Sequence, residues 1–369
     1  MSGGSTGPSR QSGVAAKAGL PRHSGEAATA DRLGHLDWLR GVAVLIMIEA
    51  HTLDSWTMPA ERTGDAYRWA VILGGFGAPA FLFLAGVAIA LAAGSRLRKG
   101  VSAAEAARLA RRRGWQVFGL AFLFRLYSLV VSGGSLAKLV KVDILNIMGL
   151  AMVGAAVLWG LGRSARGRAM LLVTATIGVA LATPLIRATP LLDPLPDVVE
   201  WYFRAPKGRT MFNLFPWAGF VLAGAAAGLW FDASRSADGE RRLNRWLAIG
   251  GPLLAVGAYA ASYLPSPYAA SDFWTSSPAF FFLRVGVLLT AVPVAYAIRS
   301  AWPGRSRVEE LGIASLFVYW VHIEIVYGLL TLPIHRALTL AQVGIGFVLF
   351  TLLMFGLVRL KQRVLQRYA

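Results

Sequence analysis

Long apolar runs recur along the whole chain and constrain its fold more than any other feature. A transmembrane helix needs about 20 mostly apolar residues, and ten runs approach or exceed that length. They cover residues 36–56, 69–93, 115–131, 143–161, 169–186, 213–231, 246–264, 279–298, 310–330 and 340–358. The runs lack the alternation over about 10 residues that outer-membrane strands show. They therefore predict an all-α, polytopic integral membrane protein with about ten transmembrane helices.

Basic residues alternate between the segments that connect these runs. Of the 37 Lys and Arg residues, 25 lie in the two tails and in every second connection, and nine lie in the other connections. The positive-inside rule then places both termini and residues 94–114 in the cytoplasm. This pattern predicts a multi-pass protein of the cell (inner) membrane. The net charge of +18 is thus mainly a topological signal, and nucleic acid is not an expected partner.

The chain divides into a tail, a membrane domain and a second tail. Residues 1–35 are rich in Gly, Ser and Ala and lack the apolar core of a signal peptide, which predicts a disordered cytoplasmic tail. Residues 36–358 form one transmembrane domain, and residues 359–369 form a basic cytoplasmic tail. The chain contains no cysteine, which excludes thiolate metal sites and a cysteine nucleophile. Its histidines also lack metal-ligand spacing, so no metal is expected.

Polar and ionisable residues inside the runs gather in the predicted outer half of the membrane. Such residues are costly in a bilayer and by default mark function. They include Glu49, His51, Arg125, Asp143, Asn146, Asn213, Arg284, His322 and Glu324. Their shared depth predicts one polar cavity that opens outward. A buried structural ion-pair network, or residues near helix ends that reach for the interface, would produce the same distribution.

The first run carries a cation and an imidazole on one helical face. Arg40 and His51 are 11 residues apart, so they share a face and lie about 16 Å apart along the axis. Asp37 can pair with Arg40 at the i,i+3 spacing, and Asp54 has the same spacing from His51. A long anionic thioester could bridge the two ends. The alternatives are an ion pair near the headgroups and an interfacial histidine.

The run 310–330 carries a second histidine. His322 shares a helical face with Tyr319, whereas Glu324 points elsewhere with Tyr327. His322 could act as an acid or base or contact a substrate, or it could be a satisfied core histidine.

Two further segments each have two interpretations. The basic residues Arg108, Arg111 and Arg112 lie in the connection 94–114 and could bind phosphate or lipid headgroups. Residues 74–79 read Gly-Gly-Phe-Gly-Ala-Pro, which allows a break beside His51 or simply close helix packing.

These motifs resemble those of membrane acyltransferases. Arg40 and His51 match the Arg-x10-His signature of the acyltransferase-3 family, whose histidine is catalytic. The closer resemblance is to the bacterial heparan-alpha-glucosaminide N-acetyltransferase-like family. Its motifs correspond here to residues 36–41, 78–86, 142–145, 215–217 and 315–322, which read LDWLRG, APAFLFLAG, VDIL, FPW and SLFVYWVH.

The resemblance implies a transferase that uses acyl-CoA, in this case acetyl-CoA, supplied from the cytoplasm. The acceptor is an amine or hydroxyl, often on a sugar or glycan, at the outer face. We assign catalysis to His51, His322, Asp143 and Glu324; donor binding to Asp37, Arg40, Arg108, Arg111 and Arg112; and acceptor binding to Asn146, Asn213, Trp217, Arg284 and Arg125. His51 is the expected general base because imidazole titrates near neutrality; a transient acyl-histidine is the alternative.

A transporter or channel for a small polar or anionic solute is the competing interpretation. The polar residues of the spans suit either function, and release of CoA during group transfer would distinguish them. The acceptor, the choice between N- and O-acylation and the oligomeric state stay open, and a homo-oligomer is compatible with the sequence.

Overall fold

The computed structural model describes residues 1, 3, 33–132, 135–204, 212–304 and 306–368. The predicted disordered tail lies almost wholly outside these residues. Gly34–Ala369 forms one compact unit, and the description below concerns this unit.

The described residues form 13 α-helices, several 3₁₀ turns and no strand. In chain order the helices are α1 (Gly34–Trp56), α2 (Asp65–Gly74), α3 (Gly77–Arg98), α4 (Ala103–Ser132), α5 (Ile144–Leu161), α6 (Ala165–Ala188), α7 (Asp197–Glu200), α8 (Leu214–Ala233), α9 (Ala237–Ala261), α10 (Pro278–Ala301), α11 (Arg307–Ile313), α12 (Ser315–Tyr327) and α13 (Leu340–Tyr368). The all-α fold predicted from the sequence is confirmed. The predicted basic tail 359–369 continues α13 as far as Tyr368.

Seven helical segments are long and apolar enough to cross a membrane, or eight if the bent pair α11–α12 is one span. Each of them coincides with a predicted run. The two other runs also form helices: α1 has 23 residues and α9 has 25, and both carry charged side chains. The chain is therefore a polytopic membrane protein, and the full set of ten crossings remains a prediction.

Two predicted segments differ from the structure. The run 310–330 is not one straight span, because α11 and α12 meet at 87°. The connection 94–114 is mostly helical, since α4 begins at Ala103. Its arginines therefore lie on a helix rather than in a loop.

Helix α1 is surrounded by other helices, with α2, α3, α10, α11, α12 and α13 packed against it. Glycine allows the closest of these contacts. A Cβ atom added to Gly41 would lie 1.8 Å from the Val308 carbonyl oxygen, and one added to Gly312 would lie 1.9 Å from the Asp37 carbonyl oxygen. The backbones of α1 and α11 thus touch beside Asp37, and this contact holds α11 across the start of α1 at an angle to α12.

Candidate functional site

The two membrane histidines form a hydrogen-bonded pair. His51 near the end of α1 and His322 in α12 are 271 residues apart in sequence, and their Nδ1 and Nε2 atoms are 2.9 Å apart. The rings are stacked with centroids 5.1 Å apart. His322 is fully buried. The pair therefore has a fixed geometry inside the helix bundle.

The hydrogen bonds assign the protons of this pair. His322 Nδ1 lies 2.7 Å from the Val318 carbonyl oxygen, which can only accept, so Nδ1 carries the hydrogen. In a neutral ring Nε2 of His322 is then an acceptor, and His51 Nδ1 donates to it. The remaining nitrogen, His51 Nε2, keeps its lone pair. This is the arrangement that a general base or a nucleophile requires.

An ion pair reaches the histidines through Tyr319. Arg125 Nη2 lies 3.2 Å from Asp143 Oδ2, and the Tyr319 hydroxyl donates to the same oxygen at 3.1 Å. The Tyr319 ring stands edge-on to His322 at 5.8 Å. Asp143 forms no direct hydrogen bond with either ring among the described residues, and Tyr319 is the contact between this ion pair and His322.

A second tyrosine lies on the other side of His51. The Tyr327 ring is edge-on to His51 at 5.6 Å, and its hydroxyl donates to Asp54 Oδ2 at 3.0 Å. Asp54, at the i,i+3 spacing from His51, forms no hydrogen bond with it among the described residues. Asp54 binds Tyr327 instead, because the imidazole of His51 turns toward α12.

The predicted ion pair between Asp37 and Arg40 at the start of α1 is present. Arg40 Nη1 donates to Asp37 Oδ1 at 2.7 Å, which confirms the i,i+3 pairing. About a fifth of the Arg40 side chain is exposed, so part of its guanidinium can contact a phosphate. Its position on α1 puts it on the face that carries His51.

The other candidates for donor binding are more exposed. Arg108 forms two hydrogen bonds with Glu105, at 2.6 and 2.7 Å. Arg111 and Arg112 are exposed on α4. No contact among the described residues joins these three arginines to Arg40.

The candidates for acceptor binding take part in several different contacts. Asn146 is buried and accepts from the Asp143 backbone N–H at 3.0 Å, which completes a capping box at the start of α5. Asn213 accepts from Arg187 at 3.3 Å, and Trp217 lies 6.0 Å below the Arg284 guanidinium. Trp217 also packs with Tyr202 against the buried cluster that includes Val142, next to Asp143 in sequence. The single polar cavity expected from the sequence stays a prediction.

Glu324 stands apart from the histidine pair. Its Oε1 atom is buried without a hydrogen-bond partner among the described residues. It shares α12 with His322 but not its face, as the sequence predicted.

Sequence reasoning missed the roles of Tyr319 and Tyr327. Both were recognised only as neighbours of His322 and Glu324 on a helical wheel. Helical spacing gave one usable signal, because Tyr319 and His322 share a face. The contact of Tyr327 with His51 depends on how α1 and α12 cross, which spacing within one helix does not reveal.

The fold and the site together define the class of protein: it is an integral membrane protein with a pair of hydrogen-bonded histidines inside its helix bundle. Residues 32–263 match the family model of the heparan-alpha-glucosaminide N-acetyltransferase catalytic domain. This match covers more than half of the chain, and the chain belongs to that family of membrane acetyltransferases, which use acetyl-CoA as donor. The matched region contains Asp37, Arg40, His51 and Asp143, whereas His322 follows it. No curated protein matches the chain.

Proposed function

We propose that the protein transfers an acetyl group from cytoplasmic acetyl-CoA to an amine or hydroxyl of a sugar or glycan at the outer face of the cell membrane. The observation that carries this proposal is the 2.9 Å hydrogen bond between His51 and His322. It leaves His51 Nε2 free to take a proton inside a membrane domain of an acetyltransferase family.

The donor end of the proposed site is Arg40. Acetyl-CoA supplies the thioester, and its phosphates suit a guanidinium that Asp37 holds in place. Arg40 and His51 share a face about 16 Å apart on α1. This separation lets phosphates bind near one end of the helix while the acyl carbon reaches the other.

The proposed reaction follows from the proton order of the pair. The acceptor X–H gives its proton to His51 Nε2 while X attacks the thioester carbonyl carbon. The imidazolium that forms keeps its Nδ1–H on His322, which is itself held by the Val318 carbonyl. When the C–S bond breaks, His51 returns the proton to the leaving sulfur, so the products are X-acetyl and CoA thiol.

Two groups keep this geometry in place. Tyr319 contacts His322 while its hydroxyl binds Asp143 of the ion pair, and the Tyr327 ring packs against the other side of His51.

An acetyl-His51 intermediate would use the same nitrogen, His51 Nε2. In that case the acceptor attacks acetyl-imidazole after CoA has left.

The test is a transfer assay with the purified full chain in detergent or nanodiscs. Acetyl-CoA is incubated with a panel of amino sugars and glycans, and free CoA and acetylated acceptor are measured together. We expect acceptor-dependent release of CoA with matching acetylated product. Solute flux without group transfer would contradict the proposal and favour a transporter.

A further inference from the structure

Two ionisable residues of the spans lie outside the network of the histidine pair. The side chains of Glu49 of α1 and Arg284 of α10 form no ion pair or hydrogen bond with any described residue. Among the described residues, the Oε2 atom of Glu49 and the Nε atom of Arg284 are buried and have no hydrogen-bond partner. A charge left without a partner at membrane depth is costly and by default marks a binding site.

The side chains of Glu49 and Arg284 both reach the break between α2 and α3. A Cβ atom added to Gly74 would lie 3.2 Å from Glu49 Oε2, and one added to Gly75 would lie 3.6 Å from Arg284 Nη2. Glu49 and Arg284 therefore flank two consecutive glycines. A side chain at Gly74 would crowd the Ala50 Cβ, at 2.8 Å, as well as the carboxylate, so glycine here serves both the packing of α2 on α1 and the space beside Glu49.

Aromatic rings hold the arginine without using its N–H groups. The Arg284 guanidinium carbon lies 3.9 Å from the centroid of the Phe280 ring and 6.0 Å from that of Trp217. Cation–π contacts stabilise the charge, but they leave the in-plane donors free for an anionic oxygen.

This location is separate from the histidine pair. Glu49 and His51 are two positions apart on α1, so their side chains diverge by about 200° around the helix. His51 faces α12, whereas Glu49 faces the α2–α3 break. Acceptor binding by Arg284, as the sequence suggested, therefore does not explain why the buried Oε2 atom of Glu49 has no partner among the described residues.

The charges select the ligand. A lone anion would satisfy Arg284 but would be repelled by Glu49, and a lone cation would face the opposite problem. We propose that Glu49 and Arg284 bind a zwitterion, with its ammonium on the Glu49 carboxylate and its phosphate or carboxylate on the Arg284 guanidinium. The zwitterion could be a soluble molecule or a lipid headgroup such as phosphoethanolamine, since both present the same two groups.

The experiment uses the full chain and two probes. O-phosphoethanolamine binding is measured by calorimetry, with ethanolamine and inorganic phosphate as single-charge controls. Phosphatidylethanolamine retained from nanodiscs of mixed phosphatidylethanolamine and phosphatidylglycerol is measured by native mass spectrometry. Both assays compare the unaltered protein with Glu49→Gln and Arg284→Gln, and with the controls Asp197→Asn and Arg163→Gln at exposed residues.

We expect each of the two site variants to weaken binding about tenfold or more, the size of a lost charged hydrogen bond, and the controls to bind normally. If the soluble probe binds, the ligand of the site is a soluble zwitterion. If only phosphatidylethanolamine is retained selectively, the ligand is a lipid headgroup. No binding of either probe, or equal binding by all variants, overturns the proposal.

Glu49→Asp and Arg284→Lys keep the charges but shift them, and they serve if the neutral variants do not fold. A weakened affinity in these variants supports the site, whereas unchanged affinity contradicts it. Neither readout depends on acetyl transfer.

Discussion

At the residue scale, the two histidines have unequal roles. Among the described residues, His322 uses both ring nitrogens, one on Val318 and one on His51, whereas His51 uses only Nδ1. His51 Nε2 is thus the nitrogen available for chemistry. We expect His322 to position His51 and to stabilise its protonated form rather than to contact the acceptor.

Replacing His51 with Ala should reduce acetyl transfer by roughly 10²–10⁴-fold, the usual size of a lost general base. Acetyl-CoA binding should change little, because Arg40 remains. Rates are measured by CoA release and binding by calorimetry, with His335→Ala, at a surface histidine, as the matched control. Wild-type transfer by folded His51→Ala protein would refute the mechanism.

Replacing His322 with Leu should reduce the rate less, by about 10–10²-fold, because His51 keeps its nitrogen but loses the acceptor that fixes its tautomer. The loss should fall on kcat rather than on KM for acetyl-CoA, and the pH–rate profile should shift because the protonated His51 loses its acceptor. An unchanged pH profile would show that His322 only fills space in the bundle.

Residues near in sequence were predictable and residues far apart were not. The Asp37–Arg40 bond follows from a spacing of three on one helix. The His51–His322 bond joins two helices through their crossing, and no pattern within either helix contains that information. Asp54 has a suitable spacing from His51 on α1, but the contact between helices turns the His51 ring toward α12.

At the element scale, α1 is the helix that links the proposed donor and acceptor ends. Replacing Arg40 with Ala should weaken acetyl-CoA binding by about 10–10²-fold, as for the loss of hydrogen bonds to a charged group. Arg40→Lys should restore part of it, because lysine keeps the charge without the bidentate geometry. Calorimetry measures the affinity, and Arg163→Ala, at an exposed arginine, is the control. Unchanged affinity in Arg40→Ala would remove this residue from the donor site.

The contact between α1 and α11 has its own test. Replacing Gly41 with Ala places a methyl group 1.8 Å from the Val308 carbonyl oxygen, so we expect a loss of stability of about 1–3 kcal/mol. Gly154→Ala is the matched control, because no atom lies within 4 Å of its added Cβ. Thermal unfolding in detergent compares the two. Equal unfolding temperatures would contradict the close approach.

The long helices were predictable from apolar length, but the bend at Ala314 was not. Arg307–Ile313 carries three charged residues whereas Ser315–Tyr327 is mostly apolar, but this change in composition does not fix an angle between the two helices. The 87° angle reflects the packing of α11 across the start of α1, which depends on Gly41 and Gly312 meeting from distant parts of the chain.

At the scale of the whole molecule, orientation is the main prediction from charge. Both termini and the segment around Ser102 should face the cytoplasm, and the segment around Ser266 should face outward. The chain has no cysteine, so single cysteines at these two serines can be labelled without background. Impermeant reagent on intact cells should reach the Ser266→Cys site only. Labelling of both sites from one side would overturn the topology.

The hydrogen bond between His51 and His322 also sets the shortest working length of the protein. The region that matches the family ends at residue 263, and α12 lies beyond it. A fragment cut at that boundary would keep His51 but lose the ring that fixes its proton, together with Tyr319 and Tyr327. Truncation and domain-swap experiments should therefore keep the chain through α12, and an inactive shorter fragment would say nothing about the chemistry of His51.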